Sequence, residues 1–388
     1  MLESVKSKKV FNIIFEKIKM KLKLKLFVHN KSMQNRFNIT IKDYQNFNAI
    51  KKLNQTFKLN IEDDNISILK NHSNKKLGYQ IFEYLLKVEF KNLKILSLNN
   101  ERISHFNLLP KLKFENLEQL LLGKNKISNI DILSKANFKK LKVLDLNEND
   151  ISNIQVLEKV CFEKLEILNL RNNKIIDINI LEKVNFKELK ELILSDNKIV
   201  DINVLSKVKF ENLENLILNN NVISDINVFE FANFNNLKIL NLEFNHIFNA
   251  NVLKNLNFEN LEYLNLSFNK ISDISSLGKA NFTKLKNLLF RCNRIKDISA
   301  LQYSKFENLE YLNLMCNMIS DINALEFVNF QRLKELDLGM NYITDIKVFE
   351  RVNFPDLFRL DLRKNRISKK MNLQVIKQLK LYILNFLC

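Results

Sequence analysis

A phenylalanine recurs every 24 residues through most of this 388-residue chain, and that spacing constrains the fold more than any other feature. We count each of these residues as position 1 of a unit, and Phe90 opens unit one. The openings are Phe90, Phe114, Phe138, Phe162, Phe186, Phe210, Phe234, Phe258, Phe282, Phe306, Phe330 and Phe354. Position 7 is Leu and position 14 is Ile in all twelve units. So strict a period predicts a stack of similar units rather than one large globular core.

The pattern inside a unit predicts a short strand followed by a helical turn. Leu at positions 7 and 9 points to one face of a strand, and positions 6, 8 and 10 point to the other. Position 12 is Asn in eleven units, where its amide can satisfy backbone groups of the turn and of the next unit. Position 16 is Asp or Asn in ten units, ahead of an I-x-x-L-x-x-V run, which predicts a capped α or 3₁₀ turn. The phenylalanines are expected to form a spine between units.

A second period of 48 residues lies beneath the first. Position 5 alternates between Lys and Glu from Lys94 to Lys334. In a parallel stack, the same position of adjacent units lies side by side, so the alternation predicts a ladder of opposite charges.

The segment L-x-x-L-x-L-x-x-N-x-I resembles the signature of leucine-rich repeats. The following S-D-I-x-x-L is similar to the subtype found in internalins and in protein phosphatase 1 regulators, although the units here are longer and open with Phe instead of Leu. The resemblance implies an α/β solenoid: a curved leucine-rich-repeat array with a parallel concave sheet and short helical turns on its convex side. We expect a helical N-terminal region and a C-terminal cap to flank it.

The pattern divides the chain into four parts. Residues 1–60 form a basic, mainly helical region, and residues 61–89 a degenerate first repeat that caps the core and lacks a strand half. Residues 90–368 hold the twelve repeats, and residues 369–388 a capping helix. Most of the net charge of +18 lies at the two ends. The body is near neutral, so its composition does not favour nucleic-acid binding.

Residues 1–60 permit three interpretations. The first is a helical cap with a solvated lysine face, which we favour. The second rests on a run from Ile13 to Lys31, with Phe15, Ile18, Leu22 and Val28 within it. This run faintly resembles an F-box, a helical adaptor often placed before leucine-rich repeats. The third, and least favoured, is a contact with nucleic acid or an anionic membrane.

Several patterns typical of other protein classes are missing from the sequence. The N-terminus lacks a secretory signal, cysteine-rich flanking caps are absent, and no apolar run is long enough for a membrane span. We therefore expect a cytoplasmic or nuclear protein that is not secreted. The chain has only four Gly and no Gly-rich loop, nucleophile motif or clustered His, so we expect no catalysis, cofactor, metal or small-molecule substrate. Cys292 and Cys316 share position 11 of adjacent units and are interpreted as surface variation rather than a redox or metal pair.

Function in such a stack should lie at the variable positions 6, 8, 10, 11 and 13 of the concave side. Units three to five carry acidic residues there, and units seven to twelve carry aromatic, Met and Arg side chains. The candidate partner-binding residues are Phe244, Tyr263, Phe268, Tyr311, Met315, Met318, Met340, Tyr342, Arg363 and Arg366. Ser267, at an outward position 10, is expected to tolerate replacement.

These residues favour a monomeric scaffold or regulator that binds a protein partner on the concave face, conceivably a phosphatase. The alternative is a ubiquitin-ligase substrate adaptor with an F-box-like N-terminus.

Overall fold

The computed structural model describes residues 59–62, 65–68, 81–83, 85–86, 90 and 93–368. The expected helical N-terminal region up to residue 58, which includes the F-box-like run, and the expected helix at 369–388 lie outside this part of the chain. The expectation of a solenoid is confirmed: one open, curved sheet of 14 strands follows the order of the sequence.

A hairpin opens the sheet. Strand β1 (Leu59–Glu62) pairs antiparallel with β2 (Asn65–Ile68), and β2 pairs in parallel with the strand of unit one, with Ile66 beside Leu96. The expectation that no strand precedes residues 82–89 therefore differs from the structure. The repeat pattern did not predict strand β2, because β2 lies thirty residues before the strand with which it pairs and so falls outside the 24-residue period.

Each of the twelve units contributes one parallel strand at its positions 6 to 8. The strands are β3 (Ile95–Ser97), β4 (Gln119–Leu121), β5 (Val143–Asp145), β6 (Ile167–Asn169), β7 (Glu191–Ile193), β8 (Asn215–Ile217), β9 (Ile239–Asn241), β10 (Tyr263–Asn265), β11 (Asn287–Leu289), β12 (Tyr311–Asn313), β13 (Glu335–Asp337) and β14 (Arg359–Asp361). Equivalent positions of adjacent units pair, as Leu216 does with Leu240. The leucines at positions 7 and 9 are buried throughout, as predicted.

The second half of each described unit forms a 3₁₀ turn on the convex side. These turns are Leu109–Lys111, Asp131–Lys135, Gln155–Lys159, Asn179–Glu182, Asn203–Ser206, Asn227–Glu230, Asn251–Asn255, Ser275–Lys279, Ser299–Tyr303, Asn323–Phe327 and Lys347–Glu350. The position-16 side chain bonds to the first residue of the turn, since Asp225 Oδ1 accepts the Asn227 N–H at 2.8 Å, although Asp225 stands one residue before the N-cap, Ile226. At the N-terminal end, residues 81–83 and 85 are helical, and Phe82 and Leu85 are buried.

Two ladders join the units. The predicted phenylalanine spine is present, with Phe306 and Phe330 stacked at 6.4 Å between ring centroids. The Lys–Glu ladder is also present, but it resolves mainly into pairs: Lys190 Nζ lies 2.8 Å from Glu166 of the preceding unit. These pairs are exposed, so water screens them and each contributes little to stability.

The position-12 asparagines form the buried polar ladder of the fold. Asn221 Oδ1 accepts the Ile199 N–H of the preceding unit at 3.0 Å, and its Nδ2 donates to the Leu194 and Leu218 carbonyls, each at 3.0 Å. Unit one carries Glu101 in place of Asn, and burial raises the pKa of its carboxyl to about 7. The expected hydrogen bonds of this asparagine to its own turn are present, but the other unit that it serves is the preceding one and not the next one, as the sequence had suggested.

Candidate functional site: the concave face and its edge

Two tyrosine–asparagine pairs stand on the concave face, in units eight and ten. Tyr263 (position 6) and Asn265 (position 8) are joined by a hydrogen bond of 3.3 Å from Nδ2 to the phenolic oxygen. Tyr311 and Asn313 repeat the pair at 2.6 Å. Each Asn Oδ1 also accepts the N–H two residues on, for example that of Met315 at 3.0 Å, so the amide is fixed from both ends.

Both tyrosine rings are half-buried, and burial raises the pKa of each hydroxyl above its ordinary value. Unit nine lies between them and presents Leu289 and Asn287 at the same two positions. Asn265 Nδ2 also donates to Glu243 Oε2 at 3.1 Å. The result is a patch of fixed aromatic rings around an aliphatic centre, with Met315 half-buried at its end. We call these residues of units seven to ten the tyrosine patch.

Position 11 has a left-handed backbone in all twelve units, and none of these residues is Gly. Phe244 and Phe268 have φ of 52° and 55°, and Met340 has 57°. Asn tolerates this region better than most side chains, and a bulky residue there costs roughly 1–2 kcal/mol. Bulky side chains at position 11 therefore lower the stability of the fold, and the fold itself does not require them.

The side chains at positions 11 and 13 of units seven to twelve form a second surface, which we call the edge. The Phe244 and Phe268 rings stack at 4.0 Å, and the Arg291 guanidinium lies 5.3 Å from the Phe268 centroid. Met318 and Met340 are exposed further along. The Tyr342 ring ends the row, with the Arg366 guanidinium 4.4 Å from its centroid.

The sequence-predicted residues are thus divided between two adjoining surfaces. Tyr263, Tyr311 and Met315 lie on the concave face, at positions 6 and 10. The others lie in the turn that follows each strand, apart from Arg363, whose guanidinium is held by the buried carboxylate of Asp361. The pattern did not reveal this division because a change of direction at position 11 depends on backbone conformation, not on hydropathy.

Ser267 departs from our expectation. Its side chain is on the concave side, but the residue is only 2% exposed, and Oγ accepts the Arg291 N–H at 3.2 Å. Neighbouring units lie about 4.8 Å away on both sides, so a short side chain on this face is covered by longer ones. Outward orientation alone therefore does not make a residue tolerant to replacement.

The acidic side chains of units three to five are largely neutralised within the array. Asp150 contacts Lys174 at 2.5 Å, and Asp196 contacts Arg171 at 2.8 Å. Asp145 accepts the Asn147 N–H at 3.0 Å, and burial raises the pKa of its carboxyl. These groups serve the stack itself, which lowers their weight as partner contacts.

Sequence reasoning missed several exposed apolar residues outside the five positions it considered. Phe231, Tyr303 and Phe327 occupy position 22 on the convex side, where the first five units carry Lys. Phe248 occupies position 15, where most units carry Ser. The departure of the three position-22 residues from the lysines of the first five units was a signal that could have identified them, whereas position 15 also carries the apolar Ile176 and Val200.

Metal and thiol chemistry has little support in the described residues. They contain no group of three or more His, Cys, Asp or Glu side chains placed to share a metal ion. Cys292 and Cys316 are unpaired thiols at position 11, and burial together with the neighbouring Cys316 raises the pKa of Cys292. A raised pKa keeps a thiol protonated and therefore less nucleophilic. In the same part of the chain, no helix is both long and apolar enough to cross a bilayer.

Comparison with known families supports the assignment of the repeat. A family model for the leucine rich repeat matches residues 187–247, 283–343 and 307–367, and a two-copy model of such repeats matches 259–303. The chain is built from leucine-rich repeats. No protein with a curated description matches the sequence significantly.

Solved structures agree with this leucine-rich-repeat assignment. An internalin of Listeria monocytogenes is 28% identical, with 78% of this chain and 84% of that one covered and a TM-score of 0.62. A leucine-rich-repeat protein of Leptospira interrogans is 23% identical, with 80% and 86% covered and a TM-score of 0.60. The APL1 leucine-rich-repeat domain is 22% identical, with 72% and 70% covered and a TM-score of 0.58. The last two likenesses concern the fold alone.

Proposed function

We propose that this chain is a non-enzymatic scaffold or regulator that binds a protein partner through the concave face of units seven to eleven. The observation that carries the proposal is the tyrosine patch. Its two Tyr–Asn pairs present large aromatic side chains that are already fixed by hydrogen bonds. A fixed ring loses little conformational entropy on binding, and Tyr is among the residues that most often dominate interface energies.

The surroundings support the same function. The patch has an aliphatic centre at Leu289. Glu243 lies at one end of it, and at the other end Glu335 lies beside Tyr311 and forms an ion pair with Arg359 at 2.9 Å. Apolar burial would therefore supply affinity, and the rim charges would supply orientation. Leucine-rich-repeat proteins generally act as protein-interaction scaffolds, which agrees with this reading of the face.

The test begins with affinity capture of partners by the full chain and their identification by mass spectrometry, including a probe for a phosphatase catalytic subunit. The partner is then titrated against Tyr263→Ala and Tyr311→Ala. Each should weaken binding by about 1–3 kcal/mol, which is roughly 5- to 150-fold in Kd. Folding should change little, because neither ring enters the interior.

Asn215→Ala is the matched control, since Asn215 occupies the same position 6 in unit six, outside the patch. It should bind like the parent. If both tyrosine variants also bind like the parent while Phe231→Ala on the convex side abolishes binding, the proposed face is wrong.

We further propose that the protein acts as a monomer in the cytoplasm or nucleus. The three described cysteines are unpaired thiols, which suits a reducing compartment. Light scattering of the purified chain and fractionation of cells that express it test the two statements. A dimeric mass, or recovery of the protein in the medium, would contradict them.

A further inference from the structure

Backbone hydrogen bonds hold the edge in a fixed row. The Phe244 N–H donates to the Ser267 carbonyl of the next unit at 3.0 Å, and the Phe268 N–H donates to the Arg291 carbonyl at 2.7 Å. Position 13 is tied in the opposite direction, as the Lys270 N–H donates to the Ile247 carbonyl at 2.8 Å. Side chains at these positions therefore repeat at the spacing of the units and form a rigid linear surface.

The apolar residues of this row occupy a backbone conformation that disfavours them. Units one, four and six place Asn at the left-handed position 11, and units two, three, five and twelve place Lys, Glu, Asp and Lys there, whereas units seven to eleven place Phe, Phe, Cys, Cys and Met. Five successive apolar choices at a disfavoured backbone position that is polar in the seven other units point to a role other than folding.

The charged residues of the row are basic and unneutralised. Positions 11 and 13 of units seven to twelve include Lys270, Arg294, Lys364 and Arg366 and no Asp or Glu. Within the described part of the chain none of these four side chains makes an ion pair, whereas Lys174 at position 13 of unit four is paired with Asp150. The edge thus combines apolar side chains at position 11 of units seven to eleven with positive groups in units eight, nine and twelve.

We propose that the edge binds an extended acidic peptide segment of the partner, with apolar side chains packed on the position-11 residues and carboxylates placed at Lys270, Arg294 and Arg366. This inference rests on the proposed function and names the class of segment that the partner supplies. Six units span roughly 24 Å, which an extended segment of about seven residues covers. The basic side chains of the edge require a negatively charged segment, and its exposed Phe and Met side chains require apolar residues in that segment.

A single-stranded nucleic acid fits this surface less well. Base stacking needs an open aromatic face, but the Phe268 ring lies between Phe244 at 4.0 Å and the Arg291 guanidinium at 5.3 Å. The ring edges remain for contact with aliphatic or aromatic side chains of a peptide.

The experiment selects binders from a displayed library of random octapeptides on the full-length chain. The recovered peptides should be enriched in Asp and Glu together with Leu, Ile, Met or Phe. A fluorescein-labelled peptide from the enriched pool is then titrated against the parent and against a variant that carries Phe244→Asn, Phe268→Asn and Met340→Asn. Asn relieves the backbone strain, so this variant should melt at or above the parent's temperature and still bind at least tenfold more weakly.

Two further variants separate charge from apolar contact. Lys270→Glu with Arg294→Glu should weaken binding at least tenfold and reduce its dependence on salt. Val200→Ser, an exposed apolar position of unit five away from the edge, is the matched control and should bind like the parent.

Four results would overturn the inference: no enriched peptides, enrichment without acidic residues, full binding by the triple Asn variant, or tighter binding of a labelled dT10 oligonucleotide. Its failure is distinguishable from failure of the proposed function. If Tyr263→Ala abolishes peptide or partner binding and the triple Asn variant does not, the concave face is the site and the edge is not. If substitutions on the concave face and on the edge both leave the binding of captured partners unchanged, the proposed function itself fails.

Discussion

Replacing Asn221 by Ala tests the buried asparagine ladder and allows its contribution to be worked out from individual bonds. The two carbonyls that Asn221 serves keep other donors, because Leu194 O also accepts from Asn197 Nδ2 at 3.1 Å and Leu218 O from Asn245 Nδ2 at 3.0 Å. The Ile199 N–H has Asn221 Oδ1 as its acceptor, and in Ala it is left buried without one. A stranded buried donor costs about 1–3 kcal/mol. With the weaker loss at the carbonyls, we expect a total of about 2–4 kcal/mol.

Asn221→Asp separates the two functions of the amide. A carboxylate still accepts the Ile199 N–H, but it faces two carbonyl oxygens without a proton to donate. Its folded-state pKa should therefore be raised above the unfolded value of about 3.9. The variant is therefore most stable below that unfolded pKa, and it loses stability as pH rises through the folded pKa.

Urea denaturation followed by circular dichroism measures the free energy of unfolding, and hydrogen exchange measures protection at Ile199. Exchange is needed because a solenoid can open locally. The control is Asn219→Ala, at position 10 of the same unit, which should cost less than about 0.5 kcal/mol. Equal losses in the two Ala variants, or unchanged protection at Ile199, would refute the assignment of this bond.

Three further outcomes are expected from the same structure. Glu101→Gln should raise the urea midpoint at pH 8 but not at pH 4. A carboxyl whose pKa is about 7 in the folded chain destabilises the fold increasingly as pH rises above 4.5 towards 7. An equal change of the midpoint at pH 4 and pH 8 would contradict this. Leu216→Ala should cost about 2–5 kcal/mol and Asn215→Ala under about 0.5 kcal/mol, so equal denaturant midpoints would show that the register is wrong. Ala250 stands where nine units carry Ile, so amides across 246–253 should exchange faster than the same positions of unit six; equal protection of the two segments would contradict this.

The sequence by itself determined the parts of the fold that repeat. Leu at positions 7 and 9 and Asn at position 12 recur at a fixed spacing, and each has one physical role in a stack. The sequence therefore predicted the burial of the leucines and the bonding of the asparagine to backbone groups, but not which neighbouring unit the asparagine serves. The charge alternation at position 5 likewise predicted the pair of Lys190 with Glu166. The aromatic content of units seven to eleven also identified the candidate binding region in outline.

Only the tertiary structure decided how that region is arranged. It turned the chain into the left-handed conformation at Phe244 and Phe268, which separates the edge from the concave face. It also showed that Ser267 is buried although it points outward, and that strand β2 joins the sheet outside the 24-residue period. The physical reason is the same in each case: these properties depend on neighbours 24 or more residues away and on backbone conformation, and neither is encoded in the hydropathy of a single unit.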